Sequence, residues 1–192
     1  MAKRFLDILL GRSQPIKPQM SKLYAISTAY VTMTTELGLT PADRAGVCFR
    51  PLESAAFDRL QSDLGRLLEI SSRTAGTKAE MQTDSFGFQW AILTDPQFED
   101  LITTTQVFSE TLHDEGFGEQ LLAAVFKFRH DDLAVYWIYN YKRGAFYPFV
   151  PEPGKERRRD NAYELRLRAA LEKELPIEPQ IEYWYPLWGV PV

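Results

Sequence analysis

The first hydrophobic cluster of the chain has the spacing of a short helix. Its members are Phe5, Leu6, Ile8, Leu9 and Leu10. Gly11 offers a helix end, so the pattern predicts an amphipathic helix over residues 1 to 12. The apolar run is too short for a signal-peptide core or a membrane span. Two prolines then favour an extended linker over residues 13 to 21, ahead of one domain over residues 22 to 192.

Segments rich in β-branched and aromatic residues follow the linker. Ala29–Thr35 and Gly46–Arg50 have this composition and are predicted to form two strands, joined by a turn-rich stretch from Gly38 to Arg44. Between Ser54 and Ile70, apolar residues recur every three or four positions, which predicts a helix with one buried face. Ser71–Thr77 has the composition of a loop.

Alternation of apolar positions predicts a core strand near the middle of the chain. Its large side chains are Phe86, Phe88, Trp90 and Ile92. Asp95 and Pro96 then favour a helix start, because aspartate caps free backbone amides and proline at the first helical position needs no donor. Apolar spacing continues this helix to a stop at Gly116. Its predicted buried face consists of Phe98, Leu101, Ile102, Thr105, Phe108 and Leu112.

The second half of the chain predicts a meander of strands. Leu121–Arg129 and Leu133–Tyr141 have strand composition and are separated by a tight hairpin loop. A third strand, Phe146–Val150, contains Pro148 and is therefore predicted at a sheet edge or a bulge.

A helix and an aromatic tail complete the pattern. Asp160 or Asn161 is predicted to cap a helix that runs to about Leu175. Its predicted inner face consists of Tyr163, Leu167, Ala170 and Leu171. Pro176–Val192 then forms a Pro- and Trp-rich tail. Consecutive strands without helices between them favour antiparallel pairing, so the predicted fold class is α+β, a mostly antiparallel sheet with helices packed on it. A secretion-chaperone-like arrangement is one option.

Composition and charge exclude several classes of function. The chain has 192 residues, and 22 Lys and Arg against 26 Asp and Glu give a net charge of -4, which argues against nucleic acid as a partner. With one cysteine, Cys48, in an apolar run, and two histidines, His113 and His130, the usual zinc ligand sets cannot be assembled. Glycine-rich phosphate loops and nucleophile-elbow motifs do not occur. We therefore expect no metal, no cofactor and no catalytic residues.

Two aromatic segments are candidate protein-interaction sites. The first contains the basic turn Lys142, Arg143 and Gly144, followed by Tyr147. Gly144 is predicted to have a positive φ. The second lies in the tail and contains Trp184, Tyr185 and Trp188. Rings of this size need a cover, so either the tail folds back over the sheet and completes the core, or it forms a surface for a protein partner.

Other polar groups are expected to have ordinary structural roles. The basic run Lys155–Arg159 is a solvated loop or a contact for an anionic surface. His113 is favoured as a cation near a helix C-terminus, and His130 with Asp131 and Asp132 suits a solvated turn.

Several longer motifs resemble one known family. They are Phe5–Arg12, Arg44–Pro51, Tyr139–Phe149, Arg159–Asn161 and Trp184–Gly189. Together they are similar to the PspA-associated protein family PspAB, from near residue 4 to near residue 189. The resemblance implies a role in the phage-shock, envelope-stress response alongside PspA, which coats damaged membrane. For some members it implies the context of a membrane-bound HtpX-type protease, and it supplies no catalytic residues.

Two hypotheses of function follow. The first is a cytoplasmic, non-catalytic adaptor or regulator that binds PspA or a related stress protein. In that case residues 1 to 12, through Phe5, Leu6, Ile8 and Leu9, either contact the inner face of the membrane or a partner's groove, or dock on the chain's own core. The alternative is an uncharacterised small-molecule enzyme whose site uses Arg143, Tyr147 and an acidic residue brought near by folding.

Overall fold

A six-stranded antiparallel sheet with helices packed on it forms the framework of the protein, which confirms the predicted α+β fold class. The computed structural model describes residues 19–57, 59–60, 62–65, 76–154 and 156–192. In chain order its main elements are α1 (Ala25–Thr35), β1 (Thr40–Phe49), β2 (Lys78–Thr83), β3 (Gln89–Thr94), α2 (Phe98–Leu112), β4 (Leu121–His130), β5 (Leu133–Asn140), β6 (Ala145–Phe149) and α3 (Asn161–Leu171). The predicted helix over residues 1 to 12 and most of the predicted linker, up to residue 18, lie outside the described residues.

The sheet follows the order β2-β3-β1-β4-β5-β6, and every neighbouring pair is antiparallel. The predicted meander is therefore confirmed, with β4, β5 and β6 side by side. As predicted from Pro148, which lacks a backbone donor, β6 is an edge strand.

The predicted strand Ala29–Thr35 is wrong, because these residues belong to the helix α1. Ile26, Ala29 and Met33 are spaced as one helical face and are all buried. Burial of this face outweighs the strand preference of the β-branched residues around it. The threonine hydroxyls also adapt to the helix, since Thr35 Oγ1 donates to the Val31 carbonyl at 2.8 Å.

The region around β1 to β3 contains three further corrections. The predicted turn between Gly38 and Arg44 is largely strand, because β1 begins at Thr40 and passes a register shift near Asp43, whose φ is 54°. The edge strand β2 was not predicted, since its side chains are mostly exposed and have no apolar alternation. Phe86 does not join the core: it lies in a turn and is 55% exposed.

The helical predictions in the middle of the chain are otherwise confirmed. The described residues of 55–65 are helical, whereas residues 66–75, which include the predicted end of this helix and most of the predicted loop, lie outside the described residues. Asp95 Oδ1 accepts a hydrogen bond from the Gln97 amide at 2.8 Å, but α2 begins only at Phe98 with Gln97 as its N-cap and no side-chain capping bond, so the predicted start at Asp95 and Pro96 is wrong. All six predicted inner residues of that helix are buried. The helix continues as a π-helical turn and reverses at Gly116, where φ is 87°. At α3, Asp160 accepts from the Tyr163 amide at 2.9 Å, but the helix ends at Leu171.

The sheet separates two hydrophobic cores because successive strand side chains point to opposite faces. The helix-side core lies under α1 and α2 and includes Phe126, Phe128 and Trp137. The opposite, tail-side core includes Trp90, Tyr147 and the tail residue Trp184. Phe88, Trp90 and Ile92 share this second core, which confirms their predicted common face. Ala170 of α3 is exposed, against the prediction.

Candidate functional site

The turn between β5 and β6 is built by Asn140. Its side-chain oxygen accepts from the amides of Lys142 and Arg143 at 3.0 and 3.2 Å, while its carbonyl accepts from the Gly144 amide at 2.8 Å. Gly144 has a φ of 62°, as predicted. The sequence thus places a basic side chain at the tip of a rigid turn beside the edge strand.

Arg143 forms an ion pair with Glu178 of the tail. The guanidinium Nε and Nη2 both donate to this carboxylate, the second at 3.0 Å. The Glu178 side chain is only 4% exposed and the Arg143 side chain 35%. The Glu178 hydrogen bond raises the pKa of Arg143. The guanidinium also lies 3.7 Å from the ring centroid of Tyr183, so three groups form one stacked unit.

A second ion pair fixes the start of α3 to the tail. Arg159 Nε donates to both carboxylate oxygens of the buried Glu164 at 2.8 Å, and Nη1 donates to the Trp184 carbonyl at 2.7 Å. Glu164 also accepts from the Val150 amide at 2.8 Å. Burial raises the pKa of the Glu164 carboxyl, and the hydrogen bonds from Arg159 and Val150 act in the opposite direction. Arg159, at the end of the predicted basic run, is therefore a structural residue.

Residues 176–192, here called the strap, fold back across the sheet. Backbone hydrogen bonds join Phe146 of β6 to Pro176 and Glu178, both at 2.8 Å. Further along, the Tyr147 hydroxyl donates to the Tyr185 carbonyl at 3.1 Å, and Lys127 Nζ donates to the Val192 carbonyl oxygen at 3.0 Å. The strap therefore covers the tail-side core, which was the first of the two alternatives for these aromatic residues.

The candidate interaction residues differ in how far their side chains are exposed to solvent. Those largely covered by the strap or forming part of it are Tyr147, Trp184 and Tyr185, each no more than 7% exposed. Trp188 is half-buried and packs edge-on against Phe149 at 5.0 Å. Lys142 is half-buried, and burial together with Arg50 lowers its pKa. Of the set, Arg143 is the most accessible.

Glu178, Arg159 and Glu164 are the residues that sequence reasoning missed. Each is an ordinary surface type in the sequence, and only the folded chain brings their charges together. The alternation of Pro and acidic residues in the tail gave no indication of a buried carboxylate. The apolar residues Ile181 and Leu165, 49% and 44% exposed, were likewise not singled out.

Compared with known protein families, residues 3–192 match PspAB, described as PspA associated protein B. The chain belongs to the PspAB family. This confirms the resemblance carried by the sequence motifs and links the chain to PspA at the level of the family. No curated protein and no solved structure matches it.

The cysteine and the two histidines of this PspAB-family chain lie in ordinary structural environments. Cys48 is 6% exposed, and burial raises the pKa of its thiol. His130 ends β4, with its ring 5.4 Å from that of Tyr163, and His113 is exposed at the end of α2. Within the described part of the chain, no group of three or more His, Cys, Asp or Glu residues could hold a metal ion.

The acidic residue that folding brings to Arg143 is Glu178, whereas Tyr147 is bonded to the strap in the tail-side core. An open groove of about 600 Å³ is lined by residues 51–55, Phe57 and Gln89, and Glu53 is the ionisable residue among these described lining residues. No helix among the described residues combines the length and the apolarity needed to span a membrane.

Proposed function

We propose that this PspAB-family chain is a non-catalytic adaptor that binds PspA in the envelope-stress response. The proposal assigns the contact to Arg143, Ile181 and Tyr183, here called the Arg143 surface. The family description supports the choice of partner. The observation that carries the choice of surface is the stack of Arg143 on Tyr183 at 3.7 Å, beside Ile181, which is 49% exposed in the same 3-10 turn.

Rigidity supports this surface as a binding site. Arginine and tyrosine are enriched among the residues that dominate binding free energy at protein interfaces. Binding through flexible side chains loses conformational entropy, and this loss is smaller when the side chains are already held. The Glu178 carboxylate accepts hydrogen bonds from the Arg143 guanidinium and holds it in place. The Glu178 carbonyl accepts from Trp184 Nε1 at 2.9 Å, so the strap is fixed on both sides of Tyr183.

The test is calorimetric titration of the purified chain with purified PspA from the same organism. Ile181→Asp should raise the dissociation constant at least about tenfold, because it places a charge in the centre of the contact. Leu165→Asp is the matched control, since Leu165 is 44% exposed on α3, and it should leave the constant within about threefold. Equal effects of the two substitutions, or absence of binding by the unsubstituted chain, would contradict the proposal.

The membrane contact is a separate part of the proposal and concerns residues 1 to 12. Their apolar cluster with Lys3, Arg4 and Arg12 suits the anionic inner face of the membrane, where a few buried side chains give weak, reversible binding. Deleting residues 1 to 12 should abolish co-sedimentation with anionic vesicles and leave the melting temperature unchanged. Unchanged vesicle binding with a sharply lower melting temperature would assign the segment to the core. An HtpX-type protease stays a prediction from the family context.

A further inference from the structure

The exposed side of α1 carries no charge. Between Lys22 and Glu36 lie thirteen residues without a single ionisable acid or base, apart from the tyrosine hydroxyls. Tyr24, Thr28, Val31 and Thr35 are exposed and follow the spacing of a single stripe along the helix. Surface helices normally present charged and polar residues on the face opposite the core. Val31, at 60%, is the most exposed large hydrophobic residue in the described part of the chain.

The threonines make this stripe less polar than its composition indicates. Thr35 Oγ1 donates to the Val31 carbonyl at 2.8 Å, and Thr34 Oγ1 donates to the Tyr30 carbonyl at 3.0 Å. Because these hydroxyls are bonded to their own helix, they do not require bonds from a partner. At Val31 and Thr35 the stripe therefore offers methyl groups to a neighbour, and at Tyr24 one aromatic ring.

The stripe is complementary in side-chain size to a second copy of itself that runs in the opposite direction. If two α1 helices cross antiparallel about an axis between Ala29 and Tyr30, Tyr24 of one copy faces Thr35 of the other. Under the same axis Thr28 faces Val31, two side chains of nearly equal volume. A two-fold axis requires that the same surface patch be complementary to itself. This sequence meets that requirement, because the large Tyr24 side chain lies opposite the small Thr35 side chain, and Thr28 lies opposite Val31, which is similar in size.

The charges at the two ends of the stripe fit the same arrangement. Lys22 and Glu36 are both exposed and are the first charged residues beyond either end. An antiparallel pair brings Lys22 of each copy next to Glu36 of the other. Within one chain the two residues are separated by about 21 Å along the helix axis, so they cannot pair with each other. A parallel arrangement would instead oppose like charges.

We propose that a second copy of this chain docks on this stripe, forming an antiparallel, two-fold symmetric dimer through α1. Such a dimer uses none of the residues of the Arg143 surface, since α1 packs on the helix-side core while the strap covers the opposite face of the sheet. It would present two Arg143 surfaces at once. A single pair of short helices buries less than the ~1,200 Å² of a stable interface, so the dimer should dissociate on dilution.

Sedimentation velocity over a range of concentrations tests the proposal on the full chain. The unsubstituted protein should shift from 22.1 kDa towards twice that mass as concentration rises. Val31→Glu should abolish this shift, because it puts two negative charges near the symmetry axis. Leu165→Glu, a substitution of an exposed aliphatic residue on α3, should leave it unchanged. A monomer at every concentration up to about 200 µM would overturn the proposal.

A charge exchange tests the antiparallel register without disturbing the fold. Lys22→Glu should weaken the dimer about tenfold, since it creates two repulsive pairs across the interface. Adding Glu36→Lys to the same chain should restore the dissociation constant to within about threefold of the original. Additive weakening by the two substitutions, or a dimer that Val31→Glu does not affect, would overturn the assignment to this stripe. Circular dichroism of each variant confirms that α1 is retained.

Discussion

Arg143→Met should destabilise the protein even though the arginine is partly exposed. The substitution keeps the unbranched side chain and removes the charge, which leaves the Glu178 carboxylate, 4% exposed, without its cation. Removing one partner of a fully buried ion pair typically costs 3–5 kcal/mol. Because Arg143 keeps contact with solvent and the Gln180 amide still donates to Glu178 at 3.1 Å, we expect about 2 kcal/mol. For a chain of this length that corresponds to about 4–8 °C in melting temperature.

A double-mutant cycle separates the ion pair from other effects of the substitution. Glu178→Gln keeps the shape and the bond from Gln180, and the double variant with Arg143→Met should lose at least about 1 kcal/mol less than the two single variants together. Urea unfolding followed by tryptophan fluorescence gives each free energy of unfolding. Arg157→Met is the control, because its ion pair with Glu156 is exposed and spans 4.0 Å, and it should cost less than about 0.5 kcal/mol. Additive losses in the cycle, or an equal loss in the control, would refute the reasoning.

Three further predictions follow from the same contacts. Gly144→Ala should cost about 3 kcal/mol in urea unfolding, because its φ is 62° and an added Cβ would lie 2.5–2.8 Å from the side chain of Gln19. Burial raises the pKa of Cys48 above the ordinary 9.0 and the pKa of Tyr141 and of Tyr147 above 10.0, so stability should begin to fall above about pH 9, and the two tyrosines should add a loss of about 3 kcal/mol per pH unit above pH 10, measured by unfolding at successive pH values. Trp184→Ala should lower the free energy of unfolding by about 4 kcal/mol and open the tail-side core. The opening is measured as faster alkylation of the Cys48 thiol, which is buried in that core.

Each of these predictions has a control within the chain. Gly189→Ala has a similar φ of 71° but open space around the added Cβ, so it should cost only the backbone strain, about 1 kcal/mol. Tyr24→Phe removes an exposed hydroxyl and should leave the alkaline profile unchanged, while a profile without any loss above pH 10 would contradict the burial argument. Trp188→Ala should expose Cys48 less than Trp184→Ala does; equal alkylation rates would show that Trp184 is not what closes the core.

The sequence predicted those elements whose burial pattern is carried by large apolar residues. The inner face of α2 was predicted in full, because leucine and phenylalanine at helical spacing have one interpretation. In α1 the inner face is Ile26, Ala29 and Met33, and the small alanine hid the helical period behind the β-branched residues. The strand β2 has almost no buried side chain, so no periodicity marks it.

The sequence predicted which residues belong to the candidate site, but it did not predict which residues they contact. The tail aromatics needed a cover, and this requirement pointed correctly to contact with the sheet. The identity of the carboxylates opposite Arg143 and Arg159 depends on contacts 35 and 5 residues away along the chain. Nothing in the local pattern distinguishes Glu178 from the exposed glutamates around it, because only the path of the strap makes it buried.

The strap also dictates the order in which the molecule can be completed during synthesis. All six strands have been synthesised once Phe149 is added, before the strap is translated, and domains can begin to fold while the remainder is still being translated. At that stage the helix-side core can pack. The opposite face of the sheet, with Trp90 and Tyr147, is still uncovered because residues 176–192 have not been added. Nascent chains therefore pass through a state with a bare aromatic sheet, and such a surface is a natural substrate for chaperones. A translation stop near Pro176, ahead of the strap, would make this transient state permanent.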